Sequence, residues 1–304
     1  MTPMASPVES PANWIGSELA DRTDWIYEFN PSAELARRVQ HDLEHGPGVA
    51  LIRGSKDQLR APEDFLNFTS RIGTPVSQSA EGELVFSVRD AGYADNDPRA
   101  RGPNTKKKLS FHTDRCDVIA FMCRQPAKSG GENEIVSSVA LYNEILRRRP
   151  DLLKELMQPF HYKRHTVDLG NERPYCRQPI FSFCEGHFAA NFLRVLIERA
   201  HQDEEIGPMP ERQREALDYL ESVAAEQKMH HRFTQKPGDI LLLNNWVTFH
   251  RRTEFEDHPE PEKKRHILRI WLSMPNSRPL DPMFKDNYGT VEAGAIRGGM
   301  RAME

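Results

Sequence analysis

The order of apolar and polar positions along the chain predicts many short strands, with helices near the start and in later insertions. Between Ser32 and Glu44 the apolar residues recur every four positions, which is the spacing of an amphipathic helix. The apolar runs Gly48–Ile52 and Asp117–Cys123 are typical of buried strands. The remaining predicted helices begin at residue 62 and cover 138–148, 151–157 and 210–227. The remaining predicted strands cover 84–88, 109–114, 160–167, 179–183, 187–192, 229–234, 240–243, 247–250 and 266–273.

This pattern predicts a mainly β fold with helical insertions, of the α+β class, on a double-stranded β-helix (jelly-roll) core. The chain has 304 residues, of which 38% are hydrophobic, and this is enough for one sizeable core. We therefore expect a single domain over residues 14–285. Residues 1–13 are rich in Pro and Ser and are predicted to be a disordered tail, and residues 286–304 are predicted to be a C-terminal tail.

Charge and composition narrow the class of partner. With 41 basic and 45 acidic residues the formal charge is −4, so there is no electrostatic case for nucleic acid or an anionic membrane, and a small-molecule substrate is expected. No apolar run is long enough to span a membrane and no signal peptide is visible, so a cytoplasmic location is expected. The four cysteines form no Cys-X-X-Cys pair, which disfavours a zinc ribbon or a redox motif. The oligomeric state, monomer or homo-oligomer, stays open.

The segment Leu109–Asp114 carries the candidate chemistry. If it is extended, as its alternation predicts, His112 and Asp114 point to the same face. Two histidines and one carboxylate that leave part of the coordination sphere open are typical of non-haem Fe(II) oxygenases. His250, at the end of a predicted strand, is the candidate for the third ligand.

A second candidate feature is Arg269, which lies on a strand between Leu268 and Ile270. Burying a guanidinium without an anion is unfavourable, so this position predicts a carboxylate partner. A planar guanidinium binds such a group with two parallel hydrogen bonds. The polar loop over residues 90–108, which includes Arg101 and the run Lys106–Lys108, precedes the candidate metal segment and is a candidate lid.

Taken together, the ordered motifs resemble those of the Fe(II)/2-oxoglutarate-dependent dioxygenases of the taurine dioxygenase (TauD/TfdA-like) family. The resemblance covers about residues 30 to 280 in the order of that family. The motifs that carry it are Phe111–Asp114, Lys128–Glu132, Pro237–Leu243, Phe249–Arg251 and Arg265–Trp271.

The resemblance implies a role for each matching residue. His112, Asp114 and His250 would ligate Fe(II), Arg269 would bind the distal carboxylate of 2-oxoglutarate, and Arg265 would be a second basic residue near this cosubstrate. Asn133 stands where taurine dioxygenase has a threonine that binds the same carboxylate. The implied reaction consumes O2, releases succinate and CO2, and oxidises a C–H bond, most often by hydroxylation. Asp114 argues against the related halogenases, in which a small residue replaces the carboxylate.

Substrate identity is less constrained. The candidate substrate residues suit an amino acid or another carboxylate, and they do not distinguish hydroxylation from desaturation or demethylation. They are Arg115, Asn191, Arg194, Asn245 and Trp246.

Two alternative functions remain. A zinc-dependent hydrolase with the same three ligands would need a general base near the metal and no buried Arg269. A non-catalytic jelly-roll binding protein would keep the pocket without the chemistry.

Overall fold

The computed structural model describes residues 6–93, 102–164 and 173–300. The helices in these ranges are α1 Gly16–Asp21, α2 Ala33–His45, α3 Pro62–Thr69, α4 Ser138–Arg148, α5 Pro150–Leu156, α6 Arg194–Ala200, α7 Glu211–Ala224 and α8 Lys285–Tyr288. The strands are β1 Ile26–Glu28, β2 Val49–Arg53, β3 Thr74–Val76, β4 Phe86–Val88, β5 Val118–Gln125, β6 Ser129–Gly130, β7 Asn133–Ser137, β8 Phe160–Lys163, β9 Tyr175–Gln178, β10 Phe181–Cys184, β11 His187–Ala190, β12 His230–Phe233, β13 Ile240–Asn244, β14 Thr248–Arg252, β15 Phe255–Glu256 and β16 His266–Ser273.

A mixed seven-stranded sheet forms the centre of the fold. Its strands run in the order β1-β2-β13-β5-β16-β3, and β4 also pairs with β16. The central strands are apolar on both faces because both faces are covered. One set of alternate side chains, including Leu242 and Ile270, packs against α2 and α3. The opposite set, including Leu243 and Trp271, packs with Ile135 of β7.

A three-stranded antiparallel sheet, in the order β12-β7-β14, lies on that second face. Its side chains also alternate between two environments. Ile135 packs towards the main sheet, whereas the next residue, Val136, packs with Phe249 and the helices α4, α5 and α7. The strands that carry the candidate site, β14 and β16, therefore belong to two sheets that pack against each other.

Local sequence explains the helices that were predicted. The Oγ atom of Ser32 accepts a hydrogen bond from the backbone N–H of Leu35, which caps α2, and Leu35, Val39 and Leu43 are buried on one face. Helix α3 begins at Pro62, a residue suited to a first helical position. The structure also contains α4, α5 and α7 within one or a few residues of the predicted ranges.

The predicted strand over 109–114 is absent from the structure, apart from one bridge between His112 and His250. The reason is that successive backbone donors of this segment find acceptors on different elements. Thr113 donates to the carbonyl of Phe192, and Asp114 donates to the side chain of Asn245. The segment therefore crosses between elements instead of pairing along one strand.

The segment after the strand predicted over 187–192, which was expected to be strand at Arg194 as well, is instead helix α6 and begins at Arg194. Leu196, Ile197 and Ala200 are buried at the three- and four-residue spacing of a helix face. The strand predicted over 160–167 ends at Lys163 in β8, and residues 165–167 lie outside the described residues.

Both predicted tails pack against the fold where they are described. The backbone N–H and carbonyl of Val8 bond the side chain of Asn143 at 2.8 and 2.9 Å, and Ala12 is buried. At the other end, buried Arg297 donates through Nε to Oδ1 of Asp117 at 2.7 Å. Residues 6–12 and 286–300 are thus held by specific long-range bonds. Among the described residues, no helix combines the length and the apolar character needed to cross a membrane.

Candidate active site

The three candidate ligands meet where the segment before β5 passes the end of β14. The backbone N–H groups of His112 and His250 each donate to the other's carbonyl at 3.0 Å, and the two imidazole centroids are 4.4 Å apart. One ligand atom from each of His112, Asp114 and His250 lies within 4.8 Å of the other two. The structure therefore brings together the three residues that the sequence singled out.

The orientation of these side chains fits a bound cation. The Oδ2 atom of Asp114 lies 3.3 Å from Nε2 of His250 and 3.8 Å from Nε2 of His112. This oxygen is buried and has no hydrogen-bond partner among the described residues. The Nδ1 atom of His112 lies 2.9 Å from the carbonyl of Ser110, which assigns the proton to Nδ1 and leaves the Nε2 lone pair for a metal.

The charge states of the cluster suit metal binding as well. Burial, followed by the neighbouring His250, lowers the pKa of His112 to about 4, so its imidazole is neutral at neutral pH. Burial alone would raise the pKa of Asp114. The Arg269 guanidinium and the two histidines outweigh that effect and hold the pKa below its usual range. A carboxylate at Asp114 and a neutral imidazole at His112 are the forms that ligate a metal.

Arg269 lies beside this cluster, with its side chain 9% exposed. Its Nη1 atom is 3.4 Å from Oδ1 of Asp114, and its Nε–H donates to Oε1 of Gln78 at 2.7 Å. The rings of Phe86 and Trp271 flank the guanidinium, each with its centroid 5.0 Å from Cζ. This arginine thus faces the metal end of the cavity. The sequence predicted a carboxylate partner for Arg269, and the carboxylate of Asp114 lies beside it.

Arg265 lies on the same side of the chain, four residues earlier. It is 6% exposed, and burial lowers its pKa to about 10. Within the described residues no carboxylate forms an ion pair with its guanidinium. Gly131 lies close to it, since a Cβ there would come within 3.3 Å of the Arg265 Nε atom, and Asn133 lines the same cavity. A buried guanidinium without an ion-pair partner is typical of an anion-binding site.

A cavity of about 620 Å³ connects these groups, which is within the usual range for a small-molecule site. The alternate residues Arg265, Ile267, Arg269 and Trp271 all line it. Its charged lining comprises seven cationic and three anionic side chains among the described residues: Lys108, Arg194, Arg199, Arg251, Arg252, Arg265, Arg269, Asp114, Glu198 and Glu221.

The mouth of the cavity is built from helix α6 and from residues 102–110. Arg194 lines it and pairs with three carboxylates, those of Glu198 at 2.7 Å and of Asp218 and Glu221 at 2.6 Å. Of the predicted lid over 90–108, residues 94–101, including Arg101, lie outside the described residues. Its role as a lid stays a prediction.

The other candidate substrate residues do not line this cavity. Arg115 and Asn191 line a separate space of about 60 Å³ behind Asp114, where the Asn191 side chain bonds Gln178 and Tyr288. Asn245 is 1% exposed and accepts the backbone N–H of Asp114. Trp246 is fully buried and donates to Asp117 at 2.8 Å. Of these four residues, Asn245 is the one bonded directly to the metal segment, whereas Asn191 and Trp246 bond other parts of the protein.

Several lining residues escaped the sequence analysis, among them Gln78, Phe86, Arg251 and Arg252. Gln78 lies in a short polar segment without a periodic pattern, so nothing local marks it. Arg252 did carry a signal. It is two residues after His250 on the same strand, and alternation places both on one face.

Comparison with known proteins gives the same assignment. Residues 8–271 match the family model described as taurine catabolism dioxygenase TauD, TfdA family. The chain belongs to the TauD/TfdA family. This dioxygenase family uses Fe(II), 2-oxoglutarate and O2, so the protein is an oxidoreductase with those cofactors. The His112–Asp114–His250 cluster matches the metal requirement of the family.

Individual relatives of this TauD/TfdA-family dioxygenase come from several sources. It is 30% identical to the FR-33289 synthase of Streptomyces rubellomurinus over 273 residues, which cover 87% of this chain and 80% of that protein. It is also 30% identical to the taurine hydroxylase-like protein SAT17 of Stachybotrys chartarum over 290 residues, with 88% and 73% covered. The fold is similar to that of an asparagine oxygenase solved with Fe(II), 3-hydroxyasparagine and succinate. That match has a TM-score of 0.62 and 17% identity, and it covers 82% of this chain and 93% of the other.

Proposed function

We propose that the protein hydroxylates a small polar substrate, such as an amino acid or another carboxylate, and forms succinate and CO2 from 2-oxoglutarate. The observation that carries this proposal is the joint position of the His112–Asp114–His250 cluster and two buried arginines in one cavity. In this proposal His112 and His250 bind Fe(II) through Nε2, and Asp114 binds it through Oδ2. Fe(II) with 2-oxoglutarate supplies the O2-dependent oxidation of a C–H bond.

The contacts of Arg265 and Arg269 suggest that the two residues bind different ends of 2-oxoglutarate, and that Arg269 does not bind the distal carboxylate that the family resemblance implies for it. Arg269 touches the metal ligand Asp114, so it is suited to the end of 2-oxoglutarate that chelates the metal. Arg265 has no carboxylate ion-pair partner among the described residues and lines the same cavity as Asn133, so it is suited to the distal carboxylate. We therefore assign the distal carboxylate to Arg265 and Asn133, and the metal end to Arg269.

Before the oxidation, the side chains of the site act by binding and orientation. Gln78 accepts from the Nε–H of Arg269 and fixes the plane of its guanidinium. Asn245 accepts the backbone N–H of Asp114 and so fixes the direction of the carboxylate. The rings of Phe86 and Trp271 limit access of water to Arg269, which strengthens its attraction for anions.

The charge of the cavity supports an anionic or zwitterionic substrate. Cationic side chains outnumber anionic ones in its lining, and two carboxylates of 2-oxoglutarate would balance the charge of Fe(II) without removing this excess. The asparagine oxygenase with a similar fold has a hydroxylated amino acid bound. An amino acid offers a carboxylate for the arginines and an ammonium group for Glu198 or Glu221 at the mouth.

We also infer that the two packed sheets form the jelly-roll core of this family. The main sheet and the β12-β7-β14 sheet enclose the cavity, and each contributes metal-site residues, Arg269 on β16 and His250 on β14. This arrangement supports the double-stranded β-helix that the sequence predicts.

The reaction can be tested with Fe(II)-loaded protein, 2-oxoglutarate, O2 and a panel of L-amino acids, aliphatic carboxylates and their phosphate or amine analogues. We expect one chemical class to raise the rate of succinate formation and to gain one oxygen atom, detected by mass spectrometry. Stimulation by neutral or purely cationic compounds alone would contradict the proposed substrate class. Metal-dependent hydrolysis of a panel compound without succinate would favour the zinc hydrolase instead.

A further inference from the structure

A third buried arginine of the cavity, Arg252, has neither the metal cluster nor a carboxylate as its partner. It is 6% exposed and ends β14, two residues after His250. In the described part of the chain no acidic side chain forms an ion pair with it. Its cationic group is therefore satisfied in another way, since a buried charge requires compensation.

The guanidinium donates to three successive backbone carbonyls of the segment before the metal residues. Nη2 donates to the carbonyls of Thr105 and Lys107 at 2.9 and 2.8 Å, and Nη1 donates to that of Lys106 at 3.2 Å. The backbone of Arg252 adds a fourth bond, because its carbonyl accepts the N–H of Leu109 at 3.0 Å. A guanidinium spreads five N–H donors over a planar fork, whereas a lysine ammonium has three donors on one nitrogen, so we expect lysine to keep only part of these bonds.

The segment held by Arg252 has no helix or sheet of its own to fix it. Residues 105–109 form bends and irregular chain, yet Lys108 and Leu109 line the cavity. We propose that Arg252 is a positioning residue that holds residues 105–109 in place as one wall of the cavity. Because Arg252 and His250 belong to the same strand, β14, the wall formed by residues 105–109 is attached to the strand that carries the metal ligand His250.

The same contact links the wall to the cosubstrate, and this step rests on the proposed function. The guanidinium groups of Arg252 and Arg265 both lie over the ring of Phe255, with Cζ 4.6 and 5.2 Å from its centroid. The two cations repel each other, since Arg265 is the main cause after burial that lowers the pKa of Arg252. A carboxylate bound to Arg265 reduces that repulsion, so 2-oxoglutarate strengthens the anchor, and by reciprocity the anchor favours binding of 2-oxoglutarate.

Limited proteolysis tests the anchor directly, because trypsin cleaves after the three lysines 106–108, which are exposed. Wild type, Arg252→Gln and Arg252→Lys are digested without metal, and cleavage within 106–108 is compared with cleavage after exposed Lys56 by mass spectrometry. Loss of the carbonyl bonds should raise cleavage within 106–108 about tenfold or more in the Gln variant, and by a smaller factor in the Lys variant. Cleavage after Lys56 should not change.

Arg60→Gln is the matched control, since exposed Arg60 also donates to a backbone carbonyl, that of Asp57, but far from the cavity. It should leave cleavage within 106–108 unchanged. Thermal unfolding verifies that each variant is folded, and the Lys variant decides the question if the Gln variant does not fold. Wild-type cleavage rates within 106–108 in a folded Arg252 variant would overturn the positioning role.

The link to the cosubstrate is tested with Fe(II) and 2-oxoglutarate under argon. In the wild type we expect 2-oxoglutarate to slow cleavage within 106–108, and Arg252→Gln to need several-fold more 2-oxoglutarate for the same visible charge-transfer absorption. If the absorption appeared but 2-oxoglutarate did not slow cleavage within 106–108, the link between Arg252 and the cosubstrate would be wrong. The positioning role of Arg252 would not be affected. Absence of the absorption in the wild type would instead overturn the proposed cosubstrate, while the metal-free digestion still decides the role of Arg252.

Discussion

At the metal end of the cavity, backbone hydrogen bonds and buried amide side chains hold the metal-ligand residues in place. At the mouth, solvent-exposed ion pairs hold Arg194. The side chains of His112, Asp114 and His250 are 18%, 11% and 9% exposed. At the mouth, the partners of Arg194 are 27–58% exposed. Exposed ion pairs contribute little and tolerate change, while buried groups do not. The difference suggests that the reaction type resides at the fixed metal end and substrate choice at the adaptable mouth.

Removal of the carboxylate ligand should have the largest effect. Asp114→Ala deletes the only anionic donor of the cluster, so we expect loss of tight Fe(II) binding and a fall in succinate formation of roughly a thousandfold or more. Iron content after anaerobic loading and succinate assays measure both. The control Asp24→Ala removes an exposed carboxylate paired with Arg22 and should change neither. Stoichiometric iron and normal turnover in Asp114→Ala would show that the cluster is not the metal site.

The support behind the metal end should be the next most sensitive region. Arg297→Met leaves Asp117 as a buried charge without its cationic partner, and both side chains are at most 2% exposed in the ion pair. We expect a loss of about 3–5 kcal/mol in the free energy of unfolding, measured by urea titration. Arg22→Met breaks an exposed pair and serves as the control, with an expected loss below about 1 kcal/mol. Equal losses in the two variants would remove the distinction between buried and exposed pairs.

Within the cavity, Arg265→Ala should weaken binding of 2-oxoglutarate more than it slows turnover. Charge-assisted hydrogen bonds contribute about 1.5–3 kcal/mol each, so we expect KM for 2-oxoglutarate to rise roughly 10–100-fold while kcat changes little. Arg265→Lys should recover part of the affinity, because it keeps the charge without the planar fork. An unchanged KM would exclude Arg265 from the cosubstrate site.

The smallest effect is expected at the mouth. Arg194→Gln removes three partly exposed ion pairs, so stability should fall by only about 1 kcal/mol or less for each. We expect KM for the organic substrate to change several-fold and KM for 2-oxoglutarate to remain within twofold. If Arg194→Gln raised KM for 2-oxoglutarate as much as Arg265→Ala does, the metal end and the mouth of the cavity would not be independent.

The same contrast explains how far the sequence alone could lead. The helix α2 and the strands β13 and β16 were predicted correctly because a cap residue and the apolar spacing are local signals. The metal cluster was found because two ligands lie two residues apart and the third ends the strand predicted over 247–250.

Other features depend on contacts that are remote in the sequence. Residues 109–114 do not form the predicted strand because, after His112, the backbone donors of Thr113 and Asp114 bond Phe192 and Asn245 instead of β14. Trp246 was a candidate substrate residue, but it packs between Asp117 and the C-terminal segment, which local patterns predict only as a tail. Arg194 was a candidate from the sequence, but its ion pairs were not predicted, since two of its partners lie on α7.

The most direct test of the account is visible absorption of the Fe(II)-loaded protein under argon, titrated with 2-oxoglutarate. If His112, Asp114 and His250 hold the metal and leave room for the cosubstrate, a weak metal-to-ligand charge-transfer band appears in the wild type. We expect this charge-transfer band to be absent from Asp114→Ala and to require far more 2-oxoglutarate in Arg265→Ala than in the wild type. Bound iron without any band in the wild type would contradict the account, because 2-oxoglutarate would then not chelate the metal in this cavity.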